Sequence, residues 1–169
     1  MKKIGFIGAY DKTDLIIYIS KLLVENGLKV LIVDSTTLQK TRYTVPCITP
    51  SKYYITTYED IDIAIGFETL QEIRNYTQMP ELNYDMILLD VDNREAFENL
   101  EMHTSDKNYF VTAFDNYSLK KGLEIIGKDD EKKLMTKILF SRHMDKTEDE
   151  YLNFISFYYS VKWSKEKIY

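Results

Sequence analysis

The chain has 169 residues, of which 44% are apolar, 29% charged and 14% aromatic, so we expect one domain over residues 1–169 and exclude collagen-like or low-complexity architectures. The net charge of −5 disfavours nucleic-acid binding, and no apolar run reaches the roughly 20 residues that a membrane span needs, which leaves at most a peripheral membrane contact. The single cysteine excludes an internal disulfide and agrees with a cytoplasmic location.

The opening residues show the pattern of a strand, a helix and a second strand. Lys3–Gly8 is a short apolar run, Leu15–Leu23 has apolar residues at helical spacing, and Lys29–Asp34 is a continuous aliphatic run. Unbroken aliphatic strands are typical of a parallel sheet that is buried on both faces. We therefore predict a βαβ unit.

The same alternation continues to the end of the chain. Further strands are predicted at Ile61–Gly66, Tyr84–Asp90, Asn108–Phe114 and Leu134–Phe140, and further helices at Glu68–Thr77, Arg94–Leu100, Ser118–Gly127 and Glu148–Tyr159. Thr36–Tyr58 is the least regular region, and Tyr53–Tyr58 within it fits either an edge strand or a structured loop. The pattern predicts a three-layer α/β fold with a mostly parallel sheet.

Candidate ligand-binding residues stand at three strand ends, where α/β proteins bind their ligands. Gly8 follows the first strand, and Lys12 and Thr13 precede the first helix. In a phosphate-binding loop, glycine lets backbone N–H groups surround an anion, lysine reaches the phosphates and a hydroxyl binds magnesium. Asp34 and Asp90 end two other strands and are predicted at the same sheet edge, where carboxylates suit a hard cation held against phosphate. Each aspartate alone is also typical of a turn cap.

These motifs resemble the ParA/MinD family of P-loop ATPases, which partition DNA or position cell-division and surface machinery. Lys29–Asp34 is similar to the family's second-strand aspartate motif, and Tyr84–Asp90 is similar to its Walker B strand. Tyr109–Asp115 and the following Asn116–Leu123 resemble the next strand and helix of the family. The resemblance covers nearly the whole chain and implies a P-loop NTPase fold.

The resemblance also implies a role for each candidate residue. Lys12 would hold the phosphates and Thr13 the magnesium ion. Asp34 would bind the magnesium shell or the attacking water, and Asp90 would bind the magnesium shell. Gly8 and Asp11 belong to the same loop, so all six residues count as cofactor-binding candidates.

The loop also departs from the family pattern. It reads Ile7-Gly8-Ala9-Tyr10-Asp11-Lys12-Thr13-Asp14, where the family has Lys-Gly-Gly-x-Gly-Lys-Thr-Thr. Only one of the three glycines remains. Ile7 stands where the family has the lysine that reaches the partner's nucleotide in its dimer, and Asp11 stands where it has a glycine.

Asp11 permits an argument from physical chemistry alone. We predict that it is the N-cap of the first helix, with Asp14 completing a weak capping box, so that its carboxylate occupies N–H donors that a phosphate would use. Two like charges about 4 Å apart also repel by roughly 4 kcal/mol at an effective dielectric of about 20. The loop is therefore predicted to have an impaired nucleotide site, with no cofactor and no catalytic residue.

The functional prediction is a protein-interaction scaffold or adaptor in a partitioning, positioning, secretion or pilus assembly. Its expected partners are other proteins of that assembly or a second copy of the chain, and its 14 tyrosines exceed what one core buries, which favours an exposed binding face. The aromatic stretch Tyr151–Trp163 fits packing on the sheet better than a membrane surface. The alternative is an active ATPase switch that uses Mg-ATP to control oligomerisation.

Other readings have less support. Cys47 with His103 or His143 lacks a motif for nucleophilic catalysis, and these residues are too few for a structural zinc site. Asp85, Asp90 and Asp92 form a cluster in the sequence, but alternation points Asp85 and Asp92 away from a common centre. A flavodoxin-like or receiver-like domain ranks lower, as does a dinucleotide-binding domain, because Gly-x-Gly-x-x-Gly is missing.

Overall fold

The computed structural model describes residues 1–45, 51–113, 115–127 and 135–140, which form one seven-stranded sheet with helices on both faces. The strands are β1 (Lys2–Ile7), β2 (Val30–Asp34), β3 (Tyr54–Tyr58), β4 (Ile61–Ile65), β5 (Met86–Val91), β6 (Lys107–Thr112) and β7 (Met135–Phe140). The helices are α1 (Thr13–Glu25), α2 (Thr41–Thr44), α3 (Leu70–Thr77), α4 (Arg94–Asn99) and α5 (Asn116–Ile126), with a 3₁₀ turn at Met102–Thr104.

The sheet order is β3-β4-β2-β5-β1-β6-β7, and every pairing is parallel except that of β3 with β4. The predicted α/β fold with a mostly parallel sheet is confirmed. Tyr53–Tyr58, for which the sequence allowed a strand or a loop, contains the antiparallel edge strand β3. An antiparallel edge arises here because β3 and β4 are joined by a two-residue turn, which is too short for a parallel crossover.

Two apolar clusters, one on each face, place the sheet between two layers of helices. Successive residues of β2 alternate between them: Leu31 belongs to the cluster that includes Phe97 of α4, and Ile32 belongs to the cluster that includes Ile16 of α1. All of β2 is buried, as its unbroken aliphatic run predicted. Side chains at α3 and α5 join the α4 cluster, so one face carries α1 and the other carries α3, α4 and α5.

Most predicted element bounds are confirmed to within two residues, and the differences lie at the ends. Helix α1 begins at Thr13 rather than Leu15, and α5 begins at Asn116 because the Asp115 side chain accepts a hydrogen bond from the Ser118 N–H. The predicted helix Glu148–Tyr159 and the aromatic stretch Tyr151–Trp163 lie outside the described residues. Within the described ranges, each helix is too short or too polar to span a bilayer.

Candidate functional site

The parallel register brings the predicted site residues to one edge of the sheet. Asp34 at the end of β2 is the register partner of Asp90 near the end of β5, and Ile7 at the end of β1 pairs with Val91. The loop that leaves β1 therefore passes beside both carboxylates before α1 begins. The sequence-based prediction that Asp34 and Asp90 share an edge is confirmed.

Lys12 is a deeply buried charged residue at this edge, with 2% of its surface exposed. Its Nζ donates hydrogen bonds to the carbonyl oxygens of Gly8, at 2.7 Å, and Tyr10, at 3.1 Å. The same nitrogen lies 2.9 Å from Oδ1 of Asp90. Two of the three N–H donors of the ammonium are used within its own loop. Lys12 therefore points back into its own loop.

Asp90 is the acidic partner of Lys12, and 3% of the residue is exposed. Its Oδ1 forms an ion pair with the Lys12 ammonium at 2.9 Å, and this oxygen accepts no hydrogen bond from the described residues. Burial raises the pKa of Asp90 to about 6; Lys12 opposes that rise, while Asp34 and Asp92 reinforce it. Burial disfavours the charged form of this carboxylate, and the ammonium of Lys12 partly compensates.

The raised pKa of Asp90 predicts a measurable pH dependence of stability. The carboxyl pKa rises from 3.8 to about 6 on folding, so between those pH values the folded chain holds a proton that the unfolded chain has lost. One pKa unit corresponds to about 1.4 kcal/mol. The contribution of Asp90 to the free energy of unfolding therefore falls by about 3 kcal/mol as pH rises from about 4 to about 6, and does not change further at higher pH.

Urea unfolding of the wild type and of Asp90→Asn across this pH range tests that expectation. Subtracting the two profiles removes the carboxyl groups that both proteins share. The difference, wild type minus variant, should decline through the window. A difference that does not change with pH would mean that Asp90 titrates at its ordinary value.

Asp34 is fully buried and is used as a cap. Its Oδ1 accepts hydrogen bonds from the Thr36 N–H, at 3.0 Å, and the Thr36 hydroxyl, at 2.6 Å. Its Oδ2 accepts one from the Thr41 N–H, at 3.2 Å, at the start of α2. Both oxygens are committed to the chain that follows β2. The turn-cap role that the sequence left open for Asp34 is the one that its contacts support.

Asp11 differs from its predicted role. Helix α1 begins at Thr13, so Lys12 occupies the N-cap position and makes no side-chain cap, and the expected capping box with Asp14 does not form. Asp11 still accepts a hydrogen bond from the Thr13 N–H at 3.1 Å, and its Oδ2 lies 2.8 Å from Nζ of Lys40. Burial acts to raise the pKa of Asp11, but its hydrogen bonds with Lys40 and Thr13 outweigh that effect and hold the pKa below its usual value.

Lys40 changes the electrostatic argument for this loop. The repulsion expected between a phosphate and Asp11 assumed a lone carboxylate, whereas the ammonium of Lys40 compensates that charge. Nothing in the sequence near Asp11 signals this pair, because Lys40 follows β2 in the irregular segment. The penalty of Asp11 on a phosphate is therefore smaller than roughly 4 kcal/mol, the value for an uncompensated pair.

Gly8 is required by packing. Its φ is +146°, and a Cβ at this position would lie 2.0 Å from the carbonyl oxygen of Val111 in β6. Only glycine permits this backbone approach between the loop and the neighbouring strand. The retention of Gly8 is therefore explained without a nucleotide.

The cavity among these residues has a volume of about 60 Å³ and is lined by side chains that include Asp11, Lys12, Lys40, Asp90 and Asp92. That space is small beside the roughly 300–1,000 Å³ of pockets for small ligands. Three carboxylates face two ammonium groups. The volume, the charges and the internal contacts of Lys12 do not fit a magnesium nucleotide in this arrangement.

Asp92 corrects a sequence-based expectation. Alternation placed it away from the site, yet it lines the same cavity as Asp90 and accepts hydrogen bonds from the Thr37 N–H, at 2.8 Å, and the Thr37 hydroxyl, at 3.0 Å. Strand alternation does not apply to Asp92 because β5 ends at Val91. Asp85 precedes β5 at the opposite end of the strand, where it accepts a hydrogen bond from the Lys29 N–H.

Comparison with solved structures identifies the fold. The chain superposes on MinD in the MinC:MinD cell division protein complex of Aquifex aeolicus with a TM-score of 0.59 and 17% identity, over 96% of this chain and 79% of that one. A ParA family ATPase from Chlorobium tepidum gives a TM-score of 0.59 and 16% identity over 96% and 81% of the two chains. The chain has the ParA/MinD P-loop fold.

A third structure with the ParA/MinD fold, a plasmid partition protein from Borrelia burgdorferi bound to AMPPNP, gives a TM-score of 0.58 and 13% identity over 98% of this chain and 87% of that one. No protein-family model matches the sequence, and no curated protein matches it. At these identities the comparison establishes the fold. The chemistry of the site has to be argued from the residues of this chain.

The remaining candidate residues add no second site. His103 is exposed in the 3₁₀ turn, and Cys47 and His143 lie outside the described residues, so the proposed nucleophile and base are not brought together in the part that is described. Within that part, no three His, Cys, Asp or Glu side chains form a group that could hold a metal ion.

Proposed function

We propose that this chain is a ParA/MinD-fold protein whose nucleotide site is closed by its own side chains, and that it acts as a protein-interaction scaffold or adaptor. The observation that carries the proposal is Lys12: its ammonium is buried, donates hydrogen bonds to the Gly8 and Tyr10 carbonyl oxygens and forms an ion pair with Asp90. A lysine in that state would have to leave these three partners before it could hold a phosphate. The role belongs in a larger assembly that partitions, positions or builds cellular machinery.

Three further contacts support the closed-site proposal. The two oxygens of Asp34 serve Thr36 and Thr41, and Asp11 accepts from the first turn of α1. Each of these groups would have to give up an internal hydrogen bond before it served a magnesium nucleotide. Unmaking several bonds at once opposes binding, since each lost bond to a charged group costs about 1.5–3 kcal/mol.

A protein with this fold that does not bind a nucleotide is expected to act by binding other proteins. In the MinC:MinD complex from Aquifex aeolicus, MinD is assembled with a second protein. We propose other proteins as partners here too, with a homodimer and a cytoplasmic location as further parts of the same proposal. The alternative, a Mg-ATP switch, is favoured by one observation, the shared edge of Lys12, Asp34 and Asp90.

Titration calorimetry with Mg-ATP separates the two functions. We expect no measurable heat of binding at millimolar nucleotide, because Lys12 is engaged and the cavity is small. Asp11→Ala should give more heat than Asp14→Ala, which removes an equal charge from the same helix end, because only the first change frees the Thr13 N–H. A micromolar dissociation constant for the wild type that Lys12→Met abolishes would establish the switch instead.

A further inference from the structure

A second cavity lies at the carboxyl end of β4, beside the start of β3. Its volume is about 400 Å³, and it shares no lining residue with the cavity around Lys12. Tyr53, Phe67 and Tyr76 form its aromatic wall, and Glu68, Glu72 and Lys52 stand at its charged rim. The space is large enough for one long side chain or a small molecule.

The three rings of the aromatic wall pack against one another, and two of them are partly exposed. The ring centroids of Tyr53 and Phe67 are 5.4 Å apart, those of Phe67 and Tyr76 are 5.3 Å apart, and those of Tyr53 and Tyr76 are 6.1 Å apart. Phe67 is 3% exposed, whereas Tyr53 is 50% and Tyr76 is 48% exposed. The buried ring therefore supports two half-exposed tyrosines.

The rim carries more negative than positive charge. Glu72 is fixed at the start of α3: its N–H donates to the Thr69 hydroxyl, and its Oε2 accepts from the Glu68 N–H at 2.8 Å. Glu68 is exposed, and its carboxylate makes no ion pair with any residue that the structure describes. Two carboxylates face the single ammonium of Lys52, which leaves the rim with a net negative charge.

The loop that carries Tyr53 is held in place on both sides. Arg42 donates hydrogen bonds to the carbonyl oxygens of Ser51 and Lys52, each at 3.0 Å. Gly66 has a φ of +80°, and a Cβ there would lie 2.4 Å from the Lys52 carbonyl oxygen, so the two backbones touch. The pocket is preformed, which reduces the entropy cost of binding.

We propose that this pocket receives an arginine side chain from a protein partner. Guanidinium groups stack on aromatic faces and bind carboxylates through two parallel N–H bonds, so tyrosine faces beside Glu68 and Glu72 match both properties. Arginine is also among the residues that contribute most to protein interfaces. The inference rests on the proposed scaffold function only in naming a protein as the source of the arginine.

The test uses the peptide acetyl-Gly-Arg-Gly-amide and its citrulline analogue, which has the same shape without the charge. Titration followed by amide NMR should shift the signals of Glu68 and Tyr76 with the arginine peptide, at millimolar concentration, and leave them unchanged with citrulline. Tyr76→Leu and Glu68→Gln should each weaken binding by about two- to fivefold, the range of one exposed cation–π contact or ion pair.

Two controls test whether the charges act locally. Glu81→Gln removes an exposed carboxylate elsewhere on the surface and should leave the affinity unchanged, while Lys52→Gln removes the competing cation and should tighten binding. Equal shifts with the citrulline peptide, or no loss in Glu68→Gln, would overturn the proposal, as would a preference for acetyl-Gly-Asp-Gly-amide. Nucleotide binding is read at Lys12 by calorimetry, so failure here is distinct from failure of the closed-site proposal.

Discussion

Replacing Lys12 with methionine should lower the free energy of unfolding by about 4 kcal/mol, because a buried ion pair loses one of its two charges. Methionine keeps most of the volume but leaves the Asp90 carboxylate buried without the one cation that pairs with it among the described residues. It also leaves the Gly8 and Tyr10 carbonyl oxygens without their donor. Urea unfolding at neutral pH, followed by circular dichroism, measures the loss.

Two controls isolate the buried pair. Lys40→Met breaks the exposed pair with Asp11 and should cost less than about 1 kcal/mol. The double substitution Lys12→Met with Asp90→Leu removes both charges and should recover most of the stability lost in Lys12→Met. A loss below about 1 kcal/mol in Lys12→Met itself would show that the ammonium does not hold this edge together.

Replacing Asp34 with alanine should destabilise the protein by a similar amount, about 4 kcal/mol. Three hydrogen bonds to a buried carboxylate disappear together, and bonds to charged groups contribute about 1.5–3 kcal/mol each before the freed donors find water. The start of α2 loses its cap at Thr41 as well. Amide hydrogen exchange should therefore accelerate at Thr36 and Thr41 before the rest of the sheet.

Asp92→Ala is the matched control for Asp34→Ala. Asp92 stands directly after β5, as Asp34 stands at the end of β2. It also accepts hydrogen bonds from a threonine N–H and hydroxyl, but these bonds are exposed to solvent. We expect a loss of about 1 kcal/mol or less. If Asp34→Ala were no more destabilising than Asp92→Ala, then Asp34 would be available for other chemistry, and its assignment as a structural cap would be wrong.

Much of the fold follows from local patterns in the sequence. The fully buried β2 is an unbroken aliphatic run, and Leu31 and Ile32 alternate between the two faces as strand geometry requires. Because parallel strands end at one edge, the proximity of Asp34 and Asp90 could be predicted as well. The parallel topology is therefore enough to predict that the two carboxylates lie together.

The state of the site could not be predicted in the same way. The pairs Lys40–Asp11 and Lys12–Asp90 join residues 29 and 78 positions apart in sequence, and nothing in strand or helix periodicity specifies them. The sequence predicts Asp11 as the N-cap of α1, whereas the N-cap is Lys12. The preference of aspartate for N-cap positions is outweighed here by the path of the loop. The Tyr53–Phe67–Tyr76 cluster also depends on tertiary contacts between three separate segments.

A crystal structure determined with millimolar Mg-ATP is the most direct test of the closed site. The account predicts that Nζ of Lys12 stays on the Gly8 carbonyl oxygen and beside Asp90, that Asp34 still caps Thr36 and Thr41, and that no triphosphate density occupies the loop. A triphosphate cradled by the loop, with Lys12 on its phosphates and a magnesium ion at Thr13, would contradict it.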